Sequence, residues 1–333
     1  MKYCEMEWTK LGACALSAAL LNLAGTQALA QTYPAKAIRV IVPAAPGGAF
    51  DLYARALSAP LGASLGQPLI VDNRAAVSGI SGMEFAARAP ADGYTLLVAG
   101  NPQFIFNKHF YAKLPYDPQK DFAPVGPIAT LPFALYVHES VGARSLQEFI
   151  AHMKANPGKL NYGSGGVGQA FHLAMELLKQ RTGTDIVHVP YKGNAPALQD
   201  FFTGRVQVMF YPASSQILGQ IKEGKLRALA SATDRRIPAL PEVPTFDEAG
   251  VPGIGRDVMG WVAMFAPAGA PTEIVARLNR DLAAAATQPE VTKTHAGLSA
   301  LPASGSAEQL AERIGRELAL WGPVVKTLGI ALE

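Results

Sequence analysis

The sequence predicts an α/β fold with two α/β lobes that are joined by two crossing strands. Apolar, β-branched segments alternate with helical segments along most of the chain, which is typical of parallel strand–helix–strand units. The length of 333 residues is too great for one small core and suits two domains. A hydrophobic content of 49% and a charged content of 17% indicate a folded globular protein.

The first thirty residues, 1–30, are predicted to be a signal peptide that directs export. Lys2 and Lys10 flank the start of the chain before the apolar segment LGACALSAALLNLAG, and Ala28–Ala30 has the small-x-small form of a cleavage site. The apolar segment is roughly 15 residues long, whereas a membrane span needs about 20. Both cysteines, Cys4 and Cys14, lie in this leader, so the exported chain has no disulfide, thiolate metal site or cysteine nucleophile.

The first α/β set follows the leader. The segments IRVIVP, PLIVDN and YTLLVAG are predicted strands, and LYARALSAPLGASLG and GMEFAARA are the helices between them. The segment VGPIATLPFALYVH is then predicted to cross into the second set.

The second set repeats the alternation. Its first helix, SLQEFIAHMKANPG, has Ser145 as N-cap and Glu148 three residues later. KLNYGSG, DIVHVPY, VQVMFYP and LRALASA are strands, separated by the helices QAFHLAMELLKQRTG, APALQDFFTG and SQILGQIKEG. A proline-rich irregular stretch and a returning strand, GWVAMFAPAG, precede the C-terminal helices. Lobe I is therefore expected at 31–133 and 256–333, and lobe II at 134–255.

Four loops at predicted strand ends are candidate ligand loops. They are PAAPGGAFD, VAGNPQF, YGSGGVGQ and FYPASSQ. Ligands of α/β sheets lie at the carboxyl ends of strands, where glycine allows close approach and helix N-termini present free N–H groups to anions. The alternative is that each loop is only a tight turn.

The third of these loops has the spacing of a dinucleotide fingerprint. Gly163, Gly165 and Gly168 form G-x-G-x-x-G between a strand and a helix. A nicotinamide site also needs an acidic residue at the end of the next strand, and that strand ends in Pro190 and Tyr191. The sequence therefore predicts no cofactor, and the loop is expected to receive another anion.

Other function classes lack their signatures. The net charge of +3 and the absence of a Lys or Arg run argue against nucleic-acid binding. There is no G-x-S-x-G or H-E-x-x-H motif, and the six histidines lack close metal-ligand spacing. No catalytic residue and no metal site are predicted. His172, four residues after Gly168, either faces the cleft or packs inward.

The chain resembles the Bug family of periplasmic solute-binding proteins, the receptors of tripartite tricarboxylate transporters. The resemblance rests on KAIRVIVPAAPGGAFDLYARALSAPLGASLGQPLIVDNR, ADGYTLLVAG, ANPGKLNYGSGGVGQAFHLAMELL, VHVPYKGNAPALQD and LPEVPTFDEAGVPG, in the family's order. It implies a type-II periplasmic binding protein fold with a ligand cleft between two lobes. It also implies a monomeric, non-catalytic receptor in the periplasm, with a small carboxylate as ligand and membrane transporter subunits as partner. A receptor that feeds a sensor kinase and a periplasmic enzyme acting on an acid are the alternatives.

The family resemblance also implies ligand-binding positions. The family's P-G-G-x-x-D motif, which holds a ligand carboxylate together with ordered waters, falls on Pro46, Gly47, Gly48 and Asp51. Because like charges repel, Asp51 is expected to order the loop rather than to contact the carboxylate. The remaining matches lie on the second-lobe loop and the third-strand loop: Ser164, Gly165, Gly168, Gln169, His172, Gly100, Asn101 and Asn107.

Departures from the family pattern add aromatic surface and remove an acid. Phe50 stands where a small hydroxyl residue or glycine is common, and Tyr211 stands where an acidic or Asn-containing segment is frequent. We expect at least two of Phe50, Phe104, Phe171 and Tyr211 to flank the ligand, the alternative being that they pack inward. The expected ligand is therefore an aromatic or apolar-bodied acid rather than an amino acid.

Overall fold

Two β-sheets organise the computed structural model, which describes residues 33–329; the predicted signal peptide, residues 1–30, lies outside them. In chain order the strands are β1 (Ile38–Val42), β2 (Leu69–Asn73), β3 (Thr95–Gly100), β4 (Phe122–Leu131), β5 (Phe133–His138), β6 (Asn161–Ser164), β7 (Val187–Pro190), β8 (Val208–Tyr211), β9 (Leu226–Ala232), β10 (Gly260–Pro267) and β11 (Leu301–Pro302). The first sheet has the order β11-β4-β10-β3-β1-β2, and the second has the order β7-β6-β8-β5-β9.

Helices connect most of these strands. They are α1 (Ala49–Leu65), α2 (Ile80–Ala87), α3 (Asn107–Phe110), α4 (Leu146–Ala155), α5 (Ala170–Thr182), α6 (Asn194–Phe202), α7 (Ser215–Lys222), α8 (Gly255–Val258), α9 (Thr272–Ala285), α10 (Pro289–Gly297) and α11 (Ala307–Leu328). A π-helix, Pro102–Phe106, and two short 3-10 helices, Val77–Gly79 and Glu139–Val141, complete the set within the described chain. None of the helices between residues 33 and 329 is both long and apolar enough to span a membrane.

The first sheet combines parallel strands with a strand from the far end of the chain. β1 pairs in parallel with β2 and β3, as the alternation of strands and helices predicts. β10 inserts antiparallel between β3 and β4, and all eight of its residues are buried. Chain order alone does not reveal this insertion, because β10 follows β3 by about 160 residues of intervening structure.

The second sheet is mixed in the same way. β6 pairs in parallel with β7 and β8, whereas β5 runs antiparallel to β8 and β9. The carboxyl ends of β6, β7 and β8 therefore lead into the starts of α5, α6 and α7 at one edge of the sheet.

The chain passes between the sheets twice. Only Pro132 separates β4 in the first sheet from β5 in the second, and the return runs from Ala232 to Gly260. One buried apolar cluster contains residues of both sheets and of the helices beside them, from Phe265 in the first sheet and Phe104 in the π-helix to Phe133 in the second sheet and Phe171 in α5. The lobe limits proposed from sequence, 31–133 with 256–333 and 134–255, stay a prediction.

The end of β3 differs from the predicted loop. Instead of a turn, VAGNPQF continues from β3 into the π-helix Pro102–Phe106. Pro102 lies at the first position of this helix, where its missing N–H and fixed φ are tolerated. A methyl group on Gly100 would collide with the backbone oxygen of Trp261 and with the ring of Phe50. Glycine is therefore required for the close approach of β10 and α1 to the end of β3.

We predict that Gly100→Ala lowers the free energy of unfolding by about 2 kcal/mol or more, because the added methyl group must displace rigid backbone. Gly219→Ala is the matched control: Gly219 lies inside α7 with open space around the added methyl group. This control should raise stability by about 0.5–1 kcal/mol through helix propensity. Urea denaturation measures both changes, and equal effects of the two variants would contradict the packing argument.

Candidate functional site

A cavity of about 570 Å³ lies where the carboxyl ends of strands from both sheets meet. Among the residues that the structure describes, none that lines this cavity is Asp, Glu, Lys, Arg or His. Five phenylalanines and six polar, uncharged residues line it: Phe50, Phe106, Phe110, Phe133, Phe171, Ser78, Asn101, Gln103, Asn107, Gln169 and Asn194. A larger groove of about 750 Å³ near the amino ends of β1 and β3 is lined by charged residues, and it lies away from the strand ends that form ligand sites.

A buried carboxylate, that of Asp51, hydrogen-bonds to the loop PAAPGG that precedes α1, on the side away from the cavity. Asp51 is 2% exposed and accepts hydrogen bonds from the Gly47 N–H at 2.8 Å, from Arg55 at 3.0 Å and from Asn73 at 2.9 Å. Burial raises the pKa of Asp51, but the hydrogen bonds from Arg55, Gly47 and Asn73 outweigh burial and hold this pKa below its ordinary value. Asp51 therefore orders the loop as an anion and does not line the cavity.

Helix starts at the cleft lack side-chain caps. Gly48 precedes α1, Gln169 precedes α5 and Gly193 precedes α6, and none of them gives a side-chain hydrogen bond to its helix. Away from the lining, serine side chains cap α4, α7 and α11: Ser145, Ser214 and Ser306. The first N–H groups of α1, α5 and α6 have no partner within their own helices, so they are available to an anion.

Aromatic rings form the walls of the cavity. Phe50 lies against Gly100, and Phe171 contacts Phe133 edge-to-face with 4.8 Å between the ring centroids. Phe110 packs against Gly168, where a methyl group would come within 3.1 Å of its ring. Both lobes therefore contribute apolar surface to one space.

Two of the four aromatic residues considered from sequence lie elsewhere. Phe104 is wholly buried and stacks on Phe265 with 4.0 Å between the ring centroids. The π-helical turn directs it into the core of the first sheet, which corrects the expectation that it flanks a ligand. Tyr211 is half-buried behind Phe171, 5.5 Å between centroids, and is not among the lining residues. Burial raises the pKa of Tyr211.

The glycine loop of lobe II is also fixed from behind. The Ser164 hydroxyl donates to the Gly166 carbonyl at 3.1 Å, and the Gly166 N–H is 3.2 Å from the same hydroxyl. The Gly168 N–H donates to Nδ1 of His172 at 3.0 Å. His172 is 5% exposed, so of the two alternatives left by the sequence, it packs inward and does not line the cavity.

A stack of three rings lies beneath this loop. His188 stacks between His172, at 4.0 Å, and Tyr162, at 4.7 Å between centroids. Burial, together with the positive charges that His172 and Lys179 can carry nearby, lowers the pKa of His188 to about 4. Burial also lowers the pKa of His172, although the Glu176 carboxylate opposes this effect. Both histidines are therefore neutral at pH 7.

Ser164 and His188 form a serine–histidine pair, with 2.7 Å between Oγ and Nε2. Such a pair is the starting point of a nucleophile and its base. Ser164, however, is 0% exposed and is absent from the cavity lining, so it has no access to a ligand. Among the described residues, no group of three His, Cys, Asp or Glu side chains is placed to hold a metal ion.

The structure brings together some of the residues selected from sequence. Those that line the cavity are Phe50, Asn101, Asn107, Gly168, Gln169 and Phe171. Those that lie behind or beside it are Pro46, Gly47, Gly48, Asp51, Gly100, Phe104, Ser164, Gly165, His172 and Tyr211. The sequence analysis did not select Phe106, Phe110, Phe133 and Asn194; only Asn194, which lies between the predicted strand DIVHVPY and the helix APALQDFFTG, carried a readable signal.

Comparison with known proteins identifies relatives over nearly the whole chain. The family described as "Tripartite tricarboxylate transporter family receptor" matches residues 53–330. A protein encoded in the tcbD-tcbE intergenic region of Pseudomonas sp. strain P51 is 38% identical over 294 residues, covering 88% of this chain and 86% of that protein. BugT of Bordetella pertussis is 36% identical over 307 residues, which cover 91% of this chain and 93% of BugT.

Solved structures agree with the predicted fold class. Rpa4515 of R. palustris with adipate is 37% identical, with a TM-score of 0.69 over 90% of this chain and 99% of that chain. MatC of Rhodopseudomonas palustris with bound malate is 32% identical, with a TM-score of 0.66 over 88% of this chain and 100% of MatC. A ligand-free TctC solute-binding protein from Polaromonas is 25% identical, with a TM-score of 0.79 over 89% of this chain and 100% of that protein. The two-lobed α/β fold of periplasmic binding proteins is confirmed.

We predict that acidification destabilises the protein through the histidine stack. The pKa values of His172 and His188 are lower in the folded chain than in the unfolded chain, so below about pH 6.5 the unfolded chain binds more protons. Stability is then lost as the pH falls from about 6.5 towards 4. The His188→Asn variant should lose about 1 kcal/mol less than the wild type between pH 7 and pH 4.5, measured by urea denaturation.

His152→Asn is the matched control for this experiment, because His152 lies on α4, outside the stack. It should keep the pH dependence of the wild type. The same pH dependence in the wild type and in His188→Asn would refute the role assigned to the stack.

Proposed function

The chain belongs to the tripartite tricarboxylate transporter receptor family, as its resemblance to the Bug proteins predicted, and we propose that it is a periplasmic receptor for a carboxylic acid with an aromatic or apolar body. The acid is captured between the two lobes and delivered to membrane transporter subunits. As in its relatives, which are solute-binding proteins, the site serves binding rather than catalysis.

The observation that carries this proposal is an uncharged, phenylalanine-lined cleft onto which helix starts from both lobes open. A helix N-terminus carries roughly half a positive charge in addition to its free N–H groups. A carboxylate is therefore stabilised without a Lys or Arg side chain. An amino-acid ligand is disfavoured because its ammonium group would find no carboxylate in the lining.

The ligands of two relatives support a carboxylate. Rpa4515 is described with adipate and MatC with malate, and each of these molecules is a carboxylic acid. The five phenylalanines of the present cleft favour an acid whose body is apolar, since burying an aromatic ring against them contributes about 25 cal/mol for each Å² removed from water.

In this proposal the two lobes close over the acid when it binds. On the glycine loop, Val167 lines the cavity and is 55% exposed, which provides apolar surface for closure to bury.

We predict that benzoate and 3-phenylpropanoate raise the thermal unfolding temperature of the exported chain, whereas aspartate and glutamate do not. Bound ligand stabilises by mass action, by about 2.7 kcal/mol at a ligand concentration one hundred times the Kd. Differential scanning fluorimetry gives the ranking and calorimetry gives the Kd. A temperature increase confined to aspartate or glutamate would contradict the proposal.

Two further measurements sharpen this test. Phe171→Ala should weaken binding of the aromatic acids about tenfold or more, whereas Phe202→Ala, which removes a half-buried ring of α6 outside the lining, should leave the Kd unchanged. NMR of the acid after prolonged incubation should recover it unaltered. Turnover would instead support an enzyme.

A further inference from the structure

Two amide side chains of lobe I, Asn101 and Gln103, line the cavity with polar atoms that no described group of the protein uses. Each residue is only 6% exposed, yet its unbonded amide atoms are not fully enclosed, so a ligand in the cavity can reach them. Oδ1 of Asn194 also lacks a partner between residues 33 and 329, but it is fully buried and out of reach of a ligand.

The side chain of Asn101 makes no hydrogen bond with the described part of the chain. Asn101 directly precedes the π-helix Pro102–Phe106, a position from which an asparagine side chain commonly bonds the first N–H groups of a helix. Its backbone angles are helical, φ −57° and ψ −32°, rather than extended as in a capping residue, and no such bond forms. Its amide therefore keeps both a donor and an acceptor for a ligand.

The amide of Gln103 has a fixed orientation. Oε1 accepts a hydrogen bond from the Gly100 N–H at 3.3 Å, and since an N–H group needs an acceptor, the oxygen and the nitrogen of this amide are not interchangeable. Nε2 lies beside Gly79, where an added methyl group would come within 3.3 Å of it. Within the described residues Nε2 has no acceptor, so it offers N–H donors to the cavity.

Both amides lie beside the start of α1. Asn101 follows Gly100, and a methyl group on Gly100 would collide with the ring of Phe50, the second residue of α1. Gly79, which lies beside the free nitrogen, approaches the carbonyl of Pro43 at the end of β1 just as closely. Because the proposed function places the ligand carboxylate at the start of α1, the two amides face the atoms next to that carboxylate.

We propose that Asn101 and Gln103 select aromatic acids that carry a hydroxyl group on the carbon next to the carboxylate, that is, aromatic 2-hydroxy acids. This inference rests on the proposed function and specifies its ligand class. The hydroxyl group accepts a hydrogen bond from Nε2 of Gln103 and donates one to Oδ1 of Asn101.

Closure of the cleft makes this hydroxyl group matter. In the open cleft, water satisfies both amides, but closure over an unsubstituted acid excludes that water and leaves the amides unpaired. A 2-hydroxyl group replaces the water. A 2-ammonium group does not replace it equally, because its charge meets no carboxylate among the described lining residues.

The test compares acids that differ only in the 2-hydroxyl group. Calorimetry gives the Kd of phenylacetate and mandelate, and of 3-phenylpropanoate and 3-phenyllactate, with each enantiomer of the hydroxy acids measured separately. In at least one pair, one enantiomer should bind about tenfold tighter or more than the parent acid. The isomer 4-hydroxyphenylacetate, which carries its hydroxyl group on the ring, should gain less than about threefold over phenylacetate.

Asn101→Leu is the decisive variant. Because this side chain bonds nothing in the described protein, leucine of similar shape leaves no protein group unpaired. The hydroxyl preference should fall below about threefold, while the Kd of the parent acid changes by less than about threefold.

Two other variants complete the test. Gln103→Met removes the Nε2 donor and should also reduce the preference below about threefold. Asn156→Leu, at an exposed position after α4, should keep the wild-type preference. Circular dichroism and unfolding temperature verify that each variant is folded.

The outcomes separate this inference from the proposed function. The inference is overturned, and the aromatic-acid receptor stands, if the wild type shows no 2-hydroxyl preference, if Asn101→Leu keeps it, or if 4-hydroxyphenylacetate binds more tightly than mandelate. Equal weakening of the parent and hydroxylated acids in Asn101→Leu would also overturn it, because this amide would then hold the carboxylate itself. If none of these acids binds, the proposed function fails, and the inference fails with it.

Discussion

The buried carboxylate of Asp51 determines how lobe I meets a ligand. It accepts hydrogen bonds from the loop N–H of Gly47 and from Arg55 and Asn73, so the loop before α1 is fixed from behind while the start of the helix stays uncapped. Lobe II uses neutral groups for the same purpose, since Ser164 and His172 bind the N–H groups of the glycine loop. In both lobes, therefore, buried side chains hydrogen-bond to the loop that precedes the helix. The N–H groups in the first turn of α1 and of α5 are left free to bind an anion.

Hydrogen bonds and an ion pair join the start of β10 to the C-terminal helix α11 beside this cleft. Trp261 donates its indole N–H to Glu317 at 2.9 Å, and Arg313 both pairs with Glu317 at 2.6 Å and donates to the Met259 carbonyl at 3.2 Å. These contacts join α11 to the residues on either side of Gly260, which lines the cavity. The crossing from lobe II into β10 is therefore anchored to the C-terminal helix. Ser299, next to the lining residue Leu298, donates to the Ala213 carbonyl at 3.3 Å, which joins the two predicted lobes beside the cleft.

Sequence patterns predicted the alternation of strands and helices, because this depends on local periodicity, whereas the loop-ordering role of Asp51 was expected from the family resemblance and from like-charge repulsion. They did not predict that Phe104 is directed into the core, because the π-helical turn after β3 changes the direction of its side chains. Phe133 and Phe110 reach the cleft from the crossing strand and from α3, and only tertiary packing places them there. The position of Asn194 beside Gln169 depends likewise on the contact between two loops across Gly165.

The central claim is that the cleft holds a carboxylate through backbone N–H groups at helix starts, without a basic side chain. A crystal structure with a bound aromatic acid tests it most directly. The account predicts a carboxylate oxygen within about 3 Å of backbone nitrogens in the first turn of α1, directly or through one water, with the ring between the phenylalanines. A Lys or Arg side chain within about 4 Å of that carboxylate would contradict it.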